Sequence, residues 1–93
     1  MIRSFKDKLT VALFEGARPS RFPADLVGRA RQRLTQLHAA RRLNDLRVPA
    51  GNRLEALAGD RRGSYSVRIN GQWRICFRWL DGDAHDVEVV DYH

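Results

Sequence analysis

Cysteine is nearly absent from this chain of 93 residues, in which Cys76 is the only one. A single cysteine excludes an internal disulfide. The three histidines, His38, His85 and His93, have no metal-ligand spacing with it or with each other. We therefore expect a protein that holds no metal or cofactor, with Cys76 as an inert strand residue.

Long hydrophobic runs are also missing. No apolar stretch approaches the roughly 18 residues that a membrane span requires, and the first ten residues lack the continuous apolar segment of a signal peptide. The length suits one domain, which at this size buries about two-thirds of its unfolded surface. These features predict a cytoplasmic, single-domain protein over residues 1–93 that makes no contact with membranes.

Lysine is scarce, and the end of the chain has no basic residue. Of the 17 basic residues 15 are arginine, and none lies after residue 80, where five of the eleven acids are found. Residues 1–80 therefore carry a formal charge of +11. Arginine binds phosphate through a planar fork and stacks on nucleobases, so this distribution is typical of a polyanion-binding protein. A solvated, arginine-rich surface explains the composition equally well.

Two amphipathic segments in the first half of the chain predict helices. The first spans roughly residues 6–15, with Ser4 and Asp7 at capping-box spacing and Gly16 at its end. The second begins at Pro23. Its buried stripe is expected to consist of Leu26, Val27, Ala30, Leu34 and Leu37. Its arginines are expected to point outward as a solvated face: Arg29, Arg31, Arg33, Arg41 and Arg42.

From residue 53 onward the hydrophobic period changes to two, which predicts strands. A short strand at 53–57 precedes strands at 64–69, 72–80 and 85–91, which form an antiparallel meander. Helices followed by strands indicate an α+β fold. We expect two N-terminal helices packed on one face of a twisted, mainly antiparallel sheet of four to five strands, counting a short strand at the N-terminus.

The loop after Ile69 decides which side chains share a face of the sheet. A two-residue turn pairs Ile69 with Gln72 and mixes core with charge, whereas a three-residue loop pairs Ile69 with Trp73. The three-residue loop is the expected solution. It predicts a core face of Tyr65, Val67, Ile69, Trp73, Ile75, Phe77 and Trp79. It also predicts an open face, directed at an anion or at water, of Ser66, Arg68, Arg74, Cys76 and Arg78.

Three blocks of the sequence resemble the HigB branch of the RelE-type bacterial toxins, the plasmid-maintenance killer proteins. These blocks are MIRSF at the start, NRLEALAGDRRGSYSVRINGQWRICF in the middle and VVDYH at the end. The resemblance runs the whole length of the chain. It implies a RelE-like, microbial-ribonuclease-type fold with helices on one face of a curved antiparallel sheet, in agreement with the elements expected above.

The resemblance also implies a toxin of a type II toxin-antitoxin system that acts on the ribosome. Such a toxin cleaves the mRNA codon in the empty decoding site and so inhibits translation and growth. Its expected partners are the ribosome, mRNA and a HigA-like antitoxin with a helix-turn-helix domain, encoded alongside. Operator DNA is reached only through the antitoxin complex.

Residue by residue, the resemblance assigns the chemistry to the sheet and the C-terminus. Arg74 corresponds to the arginine that contacts the scissile phosphate. Asp91, Tyr92 and His93 correspond to the terminal active-site residues. The resemblance places Arg53 and Arg61 along the RNA backbone, and the predicted open face of the sheet adds Arg68 and Arg78 as RNA-binding residues. The arginines of the second helix are expected to form a solvated face or a contact with ribosomal RNA.

Metal-independent RNA cleavage uses the 2′-hydroxyl as nucleophile and yields a cyclic phosphate and a 5′-hydroxyl. It needs a base, an acid and positive charge at the phosphorane. Arg74 suits the last role, and either His93 or Glu55 suits the base. His93 as imidazolium is alternatively the acid, and Tyr92 stacks on a nucleobase or donates a hydrogen bond.

The sequence departs from the family pattern at two positions. Typical members read L-H-P-L-K-G where this chain has Glu55 in place of the histidine and Ala58 in place of the lysine. These replacements resemble a subgroup of weaker toxins, so a weak endoribonuclease is expected. They also favour an alternative, a non-catalytic basic module that binds ribosomal RNA and blocks translation or ribosome assembly. A third reading is a protein that acts chiefly with its antitoxin as an operator-binding repressor.

Overall fold

The structure, a computed structural model, describes residues 1–59 and 63–91. Within these residues the chain forms two α-helices, three short 3₁₀ turns and a four-stranded antiparallel sheet. The helices are α1 (Lys8–Phe14) and α2 (Val27–Ala39), and the strands are β1 (Glu55–Ala56), β2 (Ser64–Arg68), β3 (Trp73–Leu80) and β4 (Asp83–Asp91). The strands are adjacent in chain order, β1-β2-β3-β4. The predicted α+β fold is confirmed.

The start of α1 differs from the prediction. Its N-cap is Asp7, whose carboxylate accepts hydrogen bonds from the backbone N–H of Thr10 at 2.9 Å and from its hydroxyl at 2.6 Å. The predicted cap, Ser4, instead accepts a hydrogen bond at 2.8 Å from the backbone N–H of Asp86 in β4. The capping prediction was wrong because a tertiary contact uses the hydroxyl that local spacing assigned to the helix.

The N-terminal segment covers the outer edge of β4. Ile2 bridges Ala84 and Phe5 bridges Val87, both in the parallel sense. This pairing corresponds to the short N-terminal strand expected from the sequence. It protects an edge that would otherwise present unpaired backbone groups.

α2 carries the expected apolar stripe but begins later than expected. A 3₁₀ turn at Ala24–Leu26 follows Pro23, so the α-helix starts at Val27. Four of the five stripe residues are fully buried, and Leu26 packs against them half-buried. The buried four are Val27, Ala30, Leu34 and Leu37.

Three arginines of α2 do not simply point into solvent. Arg31 donates to the carbonyl oxygens of Leu13 at 3.0 Å and Ala17 at 2.9 Å, and so ties α2 to the end of α1. Arg29 and Arg33 donate to carbonyl oxygens at the end of β2. Arg29 is exposed as expected, whereas Arg31 and Arg33 are half-buried because their long side chains reach backbone acceptors that the tertiary fold supplies.

The hairpin between β2 and β3 has the predicted three-residue loop. The backbone N–H of Ile69 donates to the carbonyl oxygen of Trp73 at 2.9 Å. The Asn70 side chain closes the loop by accepting from the backbone N–H of Gln72 at 2.9 Å and of Trp73 at 2.7 Å. The core face is therefore the predicted one, with four residues buried and Tyr65, Trp73 and Trp79 half-buried against them. The buried four are Val67, Ile69, Ile75 and Phe77.

β4 starts two residues earlier than expected and contains a bulge. Asp81 and Gly82 have φ values of 53° and 80°, which is the two-residue I′ turn that joins tightly paired strands. The register with β3 then shifts by one residue between Cys76 and Arg78, where Asp86 has φ 52°. The bulge reverses the alternation along β4.

Among the residues that the structure describes, no helix is long and apolar enough to cross a membrane.

Candidate active site

Arg74 is buried, although the sequence predicted it on an open face. Its side chain is 9% exposed. Its Nε donates to the Ser66 hydroxyl at 2.9 Å, and its Nη2 donates to the carbonyl oxygen of Arg53 at 2.6 Å. Cys76 and Ser66, on the same face, are also buried. The prediction of an open face was wrong here because the segment before β2 folds back over the sheet.

The covering segment is held by Asn52. This buried side chain donates from Nδ2 to Gln36 Oε1 at 2.9 Å and to the carbonyl oxygen of Leu46 at 3.2 Å. The next residue, Arg53, ends a 3₁₀ turn in the left-handed region, at φ 44° and ψ 59°. This change of direction aims the Arg53 carbonyl at Arg74. The site therefore uses the backbone of Arg53, and its side chain is exposed.

Glu55 lies beside Arg74 on the solvent side. β1 pairs Glu55 with Ser66, and the Glu55 carboxylate is 3.0 Å from Arg74 Nη2. The two partners differ in exposure, since the Glu55 side chain is 59% exposed. Ion pairs with an exposed partner contribute little to stability, about 0–1 kcal/mol. The guanidinium is thus held by the protein, while the carboxylate is free to be displaced by another anion.

Two of the predicted RNA-binding arginines share the face of Arg74. Arg68 is directly opposite Arg74 in the β2–β3 register. Arg78 lies two residues beyond Cys76 in β3 and so projects to the same face. It forms an ion pair with Asp86 at 2.8 Å, and both side chains are about half exposed. This hydrogen bond from Arg78 lowers the pKa of the Asp86 carboxyl below its usual value.

Asp91 is directed away from Arg74 by the strand register. It is opposite Trp73, whereas Arg74 is opposite Val90. Because neighbouring residues of a strand project to opposite faces, Asp91 projects to the face opposite Arg74. Gln72 Nε2 donates to its carboxylate at 3.0 Å.

Three of the predicted site residues, Arg61, Tyr92 and His93, lie outside the described residues, and their roles stay predictions. Sequence reasoning missed two atoms that hold Arg74, the Ser66 hydroxyl and the Arg53 carbonyl. Ser66 had a signal, because it shares the predicted polar face with Arg74. The Arg53 carbonyl had none, since a backbone acceptor is not encoded by residue type.

Comparison with known proteins gives concordant results. The family described as "RelE-like toxin of type II toxin-antitoxin system HigB" matches residues 3–93. The chain is 38% identical over 93 residues to "Endoribonuclease HigB" of Proteus vulgaris, covering 100% of both proteins. It is 39% identical over 85 residues to "Toxin HigB-1" of Vibrio cholerae, covering 90% of each. Among solved structures, YafQ from E. coli superposes with a TM-score of 0.61 at 13% identity, covering 98% of this chain and 93% of YafQ. At that identity the likeness to YafQ concerns the fold.

Proposed function

Because this chain belongs to the HigB family of RelE-like toxins of type II toxin-antitoxin systems, we propose that it is an endoribonuclease that cuts mRNA in the decoding site of the ribosome. The observation that carries the proposal is the buried Arg74 guanidinium, fixed by protein acceptors beside the exposed carboxylate of Glu55. The partner of the protein within the toxin-antitoxin system is an antitoxin. We assign to that antitoxin a helix-turn-helix domain and the contact with operator DNA. Because its proposed targets, the ribosome and mRNA, are in the cytoplasm, the protein acts there.

Arg74 stabilises the charge that develops on the phosphorane. The Ser66 hydroxyl and the Arg53 carbonyl fix the orientation of its guanidinium before substrate binds. A donor that is already oriented needs no reorganisation as the reaction proceeds, and removing one such donor typically costs about 10²- to 10³-fold in rate. The scissile phosphate takes the place that the Glu55 carboxylate occupies in the free protein.

Glu55 is the proposed base. Its carboxylate is 3.0 Å from Arg74 Nη2, so a small rotation away from the guanidinium leaves it next to a phosphate bound there. From that position it accepts the proton of the 2′-hydroxyl, and the 2′-oxygen forms the new bond to phosphorus. The bond to the 5′-oxygen breaks, and that oxygen takes a proton from an acid, a role we assign to His93. Tyr92 stacks on a nucleobase or donates a hydrogen bond.

Turnover is expected to be slow. Ala58 carries no ammonium that could bind the phosphate, and the register directs Asp91 away from Arg74. One missing donor to the charged phosphate typically lowers a rate by about 10²- to 10³-fold. Orientation of the mRNA by the ribosome has the opposite effect, because it lowers the activation free energy by up to about 7–11 kcal/mol.

A non-catalytic RNA-binding module is the second candidate. The observation that favours it is the Arg74–Glu55 pair itself, because a neutralised guanidinium is a poor electrostatic catalyst. In that case the protein arrests translation by occupying ribosomal RNA.

Primer extension on a defined mRNA, with and without loaded ribosomes, separates the two candidates. We expect codon-phased cuts that require ribosomes and disappear in Arg74→Lys, which keeps the charge but loses the planar fork. Arg41→Lys, at an exposed position, is the matched control and should cut normally. Absence of cuts by the unmodified protein, together with ribosome binding that weakens with salt, would leave the non-catalytic module.

A further inference from the structure

Two arginines of α2 converge on the end of β2, where the chain enters the β2–β3 hairpin. Arg29 Nη1 donates to the carbonyl oxygen of Ile69 at 3.3 Å. Arg33 Nε donates to the carbonyl oxygen of Arg68 at 3.2 Å. β1 is two residues long and pairs only with Tyr65 and Ser66 of β2, so α2 rather than a strand supplies the donor to the Arg68 carbonyl.

Arg68 contributes a third guanidinium to the same place. Its Nη2 lies 3.8 Å from the position that a Cβ on Gly71 would occupy, so the side chain extends toward the tip of the β2–β3 hairpin. Burial, followed by the charges of Arg29 and Arg68, lowers the pKa of the Arg33 guanidinium. The Arg33 guanidinium is therefore close enough to both Arg29 and Arg68 for their charges to act on it.

Within residues 1–59 and 63–91, no carboxylate forms an ion pair with any of these three arginines. Each guanidinium has five N–H donors, and the two hydrogen bonds to carbonyls use one donor on Arg29 and one on Arg33. Arg29 is exposed and the other two are half-buried. The cluster thus combines uncompensated positive charge with N–H groups that are accessible to a ligand.

The cluster is continuous with the candidate active site. Arg68 and Arg74 are directly opposite each other on the same face of the β2–β3 pair. The Cβ atoms of such a pair lie about 5 Å apart. The Arg68 side chain extends toward the hairpin tip, whereas that of Arg74 reaches back toward Ser66 and Arg53. An extended anion bound at Arg74 therefore meets the cluster on the hairpin side.

We propose that Arg29, Arg33 and Arg68 form a second phosphate site, which binds the backbone of the substrate RNA beside the phosphate held at Arg74. This inference rests on the proposed function, since it takes Arg74 as the point of cleavage. RNA is the ligand that fits because its phosphates repeat along one strand, as the two adjoining basic sites require. Recognition through phosphate alone is independent of base sequence.

The test is the salt dependence of binding to a short single-stranded RNA whose 2′-hydroxyls are methylated and which therefore cannot be cleaved. The full chain is compared with the double variant Arg29→Gln/Arg33→Gln, in which glutamine keeps an N–H donor for each carbonyl. The matched control is Arg41→Gln/Arg42→Gln, which removes two exposed charges from the same chain. Because each neutralised phosphate contributes about 0.7 to the slope of log K against log salt for single strands, and the cluster forms one phosphate site, we expect the double variant to lose about 0.7. The control should lose much less.

A second control separates binding from folding. Arg31→Gln removes an arginine of the same helix that also bonds to backbone carbonyls, at the end of α1. If the proposal holds, Arg31→Gln changes the thermal midpoint of unfolding. The slope of log K for RNA binding against log salt stays near that of the unmodified protein. Equal slopes for the double variant and the Arg41/Arg42 control would overturn the proposal and leave the cluster as a cap for the β2 edge.

Two further outcomes would also overturn it. One is unchanged oligonucleotide binding with lost binding to vacant ribosomes, which would assign the cluster to ribosomal RNA. The other is unchanged RNA binding with lost binding to the antitoxin. Failure of the proposed function is a different result: an unmodified protein that never cuts mRNA, whatever the slopes of the variants.

Discussion

At the scale of the residue, the candidate site pairs a cation that the protein holds rigidly with an anion that it holds loosely. Arg74 is 9% exposed and is fixed by Ser66 and Arg53, whereas Glu55 is 59% exposed and has a short path away from it. Under the proposed function, the pair gives Glu55 two opposite effects on RNA. It would compete with the phosphate for Arg74 in the free protein, and it would serve as base once the phosphate is bound.

Glu55→Gln separates these effects. Removing the carboxylate charge should strengthen binding of uncleavable RNA, because the phosphate no longer competes with an anion. It should lower the cleavage rate by about 10²- to 10⁴-fold, because the base is lost. Binding by fluorescence anisotropy and single-turnover cleavage on loaded ribosomes measure the two quantities.

Glu15→Gln is the matched control, since Glu15 is an exposed acid at the end of α1. It should behave as the unmodified protein in both assays. Faster cleavage by Glu55→Gln would contradict the assignment of the base and would make Glu55 purely a competitor of the substrate.

Ser66→Ala tests the positioning of Arg74. The loss of a hydroxyl that accepts from Nε leaves a buried donor without that partner, at a cost of about 1–3 kcal/mol in the free energy of unfolding. The guanidinium then loses its fixed orientation, so kcat should fall while KM changes little. Ser64→Ala, in the same strand and also buried, lacks the bond to Arg74 and is the control. Equal kcat values for the two variants would remove the positioning role.

At the scale of the element, the bulge in β4 decides which residues reach the core. A strict alternation would put Ala84 and Val87 on opposite faces, yet both are fully buried. The extra residue, Asp86, sits in the left-handed region at φ 52°. Its carboxylate is held by Arg78 at 2.8 Å and its backbone N–H by Ser4. The bulge thereby joins β3, β4 and the N-terminal segment at one residue.

Asp86→Val should destabilise the protein by about 1–2 kcal/mol, because a β-branched residue is disfavoured in the left-handed region. Asp86→Asn should cost less, since asparagine tolerates that conformation. Urea unfolding at neutral pH measures both. Equal costs for Val and Asn would show that the lost contact with Arg78, rather than the backbone conformation, sets the effect.

The pH dependence of stability has a defined sign at the same residue. The hydrogen bond from Arg78 lowers the pKa of the Asp86 carboxyl in the folded protein below its usual value. The resulting stabilisation is present above the unfolded value and is lost as the pH falls through the lower, folded pKa. Asp86→Asn should therefore weaken the acid-dependent loss of stability below about pH 4. Urea midpoints across that range measure the difference, and parallel curves for the two proteins would contradict it.

At the scale of the whole molecule, the acidic end of the chain is used internally. Three of its acids pair with bases from other parts of the structure: Asp83 with Arg3 at 3.0 Å, Asp86 with Arg78 at 2.8 Å, and Glu88 with Lys6 at 3.6 Å. The Asp83 and Glu88 pairs fasten the N-terminal segment to β4. The helices, by contrast, hold the sheet through the apolar stripe of α2.

Leu34→Ala tests this division between scaffold and site. Leu34 is fully buried on α2, so its truncation should lower the free energy of unfolding by about 2–5 kcal/mol. Cleavage per folded molecule should stay unchanged, because the side chain lies on the core side of the sheet. Leu80→Ala, at a position 49% exposed, is the control and should cost much less. If fully folded Leu34→Ala cleaved mRNA more slowly than the unmodified protein, the core and the candidate site would not be independent.

The sequence by itself determined the fold class, the core face of β2 and β3, and the three-residue loop after Ile69. These follow from the period of hydrophobic residues, because a register slip of one residue would expose Val67 and Ile75 and bury charge. Motifs of the sequence also indicated the toxin family, which the family match and the HigB relatives confirm.

Only the tertiary structure decided the burial of Arg74, the bulge at Asp86 and the convergence of Arg29 and Arg33 on β2. Each depends on backbone groups that come from distant parts of the chain: the Arg53 carbonyl, the Ser4 contact and the carbonyls at the end of β2. Backbone donors and acceptors are the same for nearly every residue type, so the sequence does not mark which of them a side chain will meet. Their positions are set by how the elements pack, and packing is a property of the folded chain.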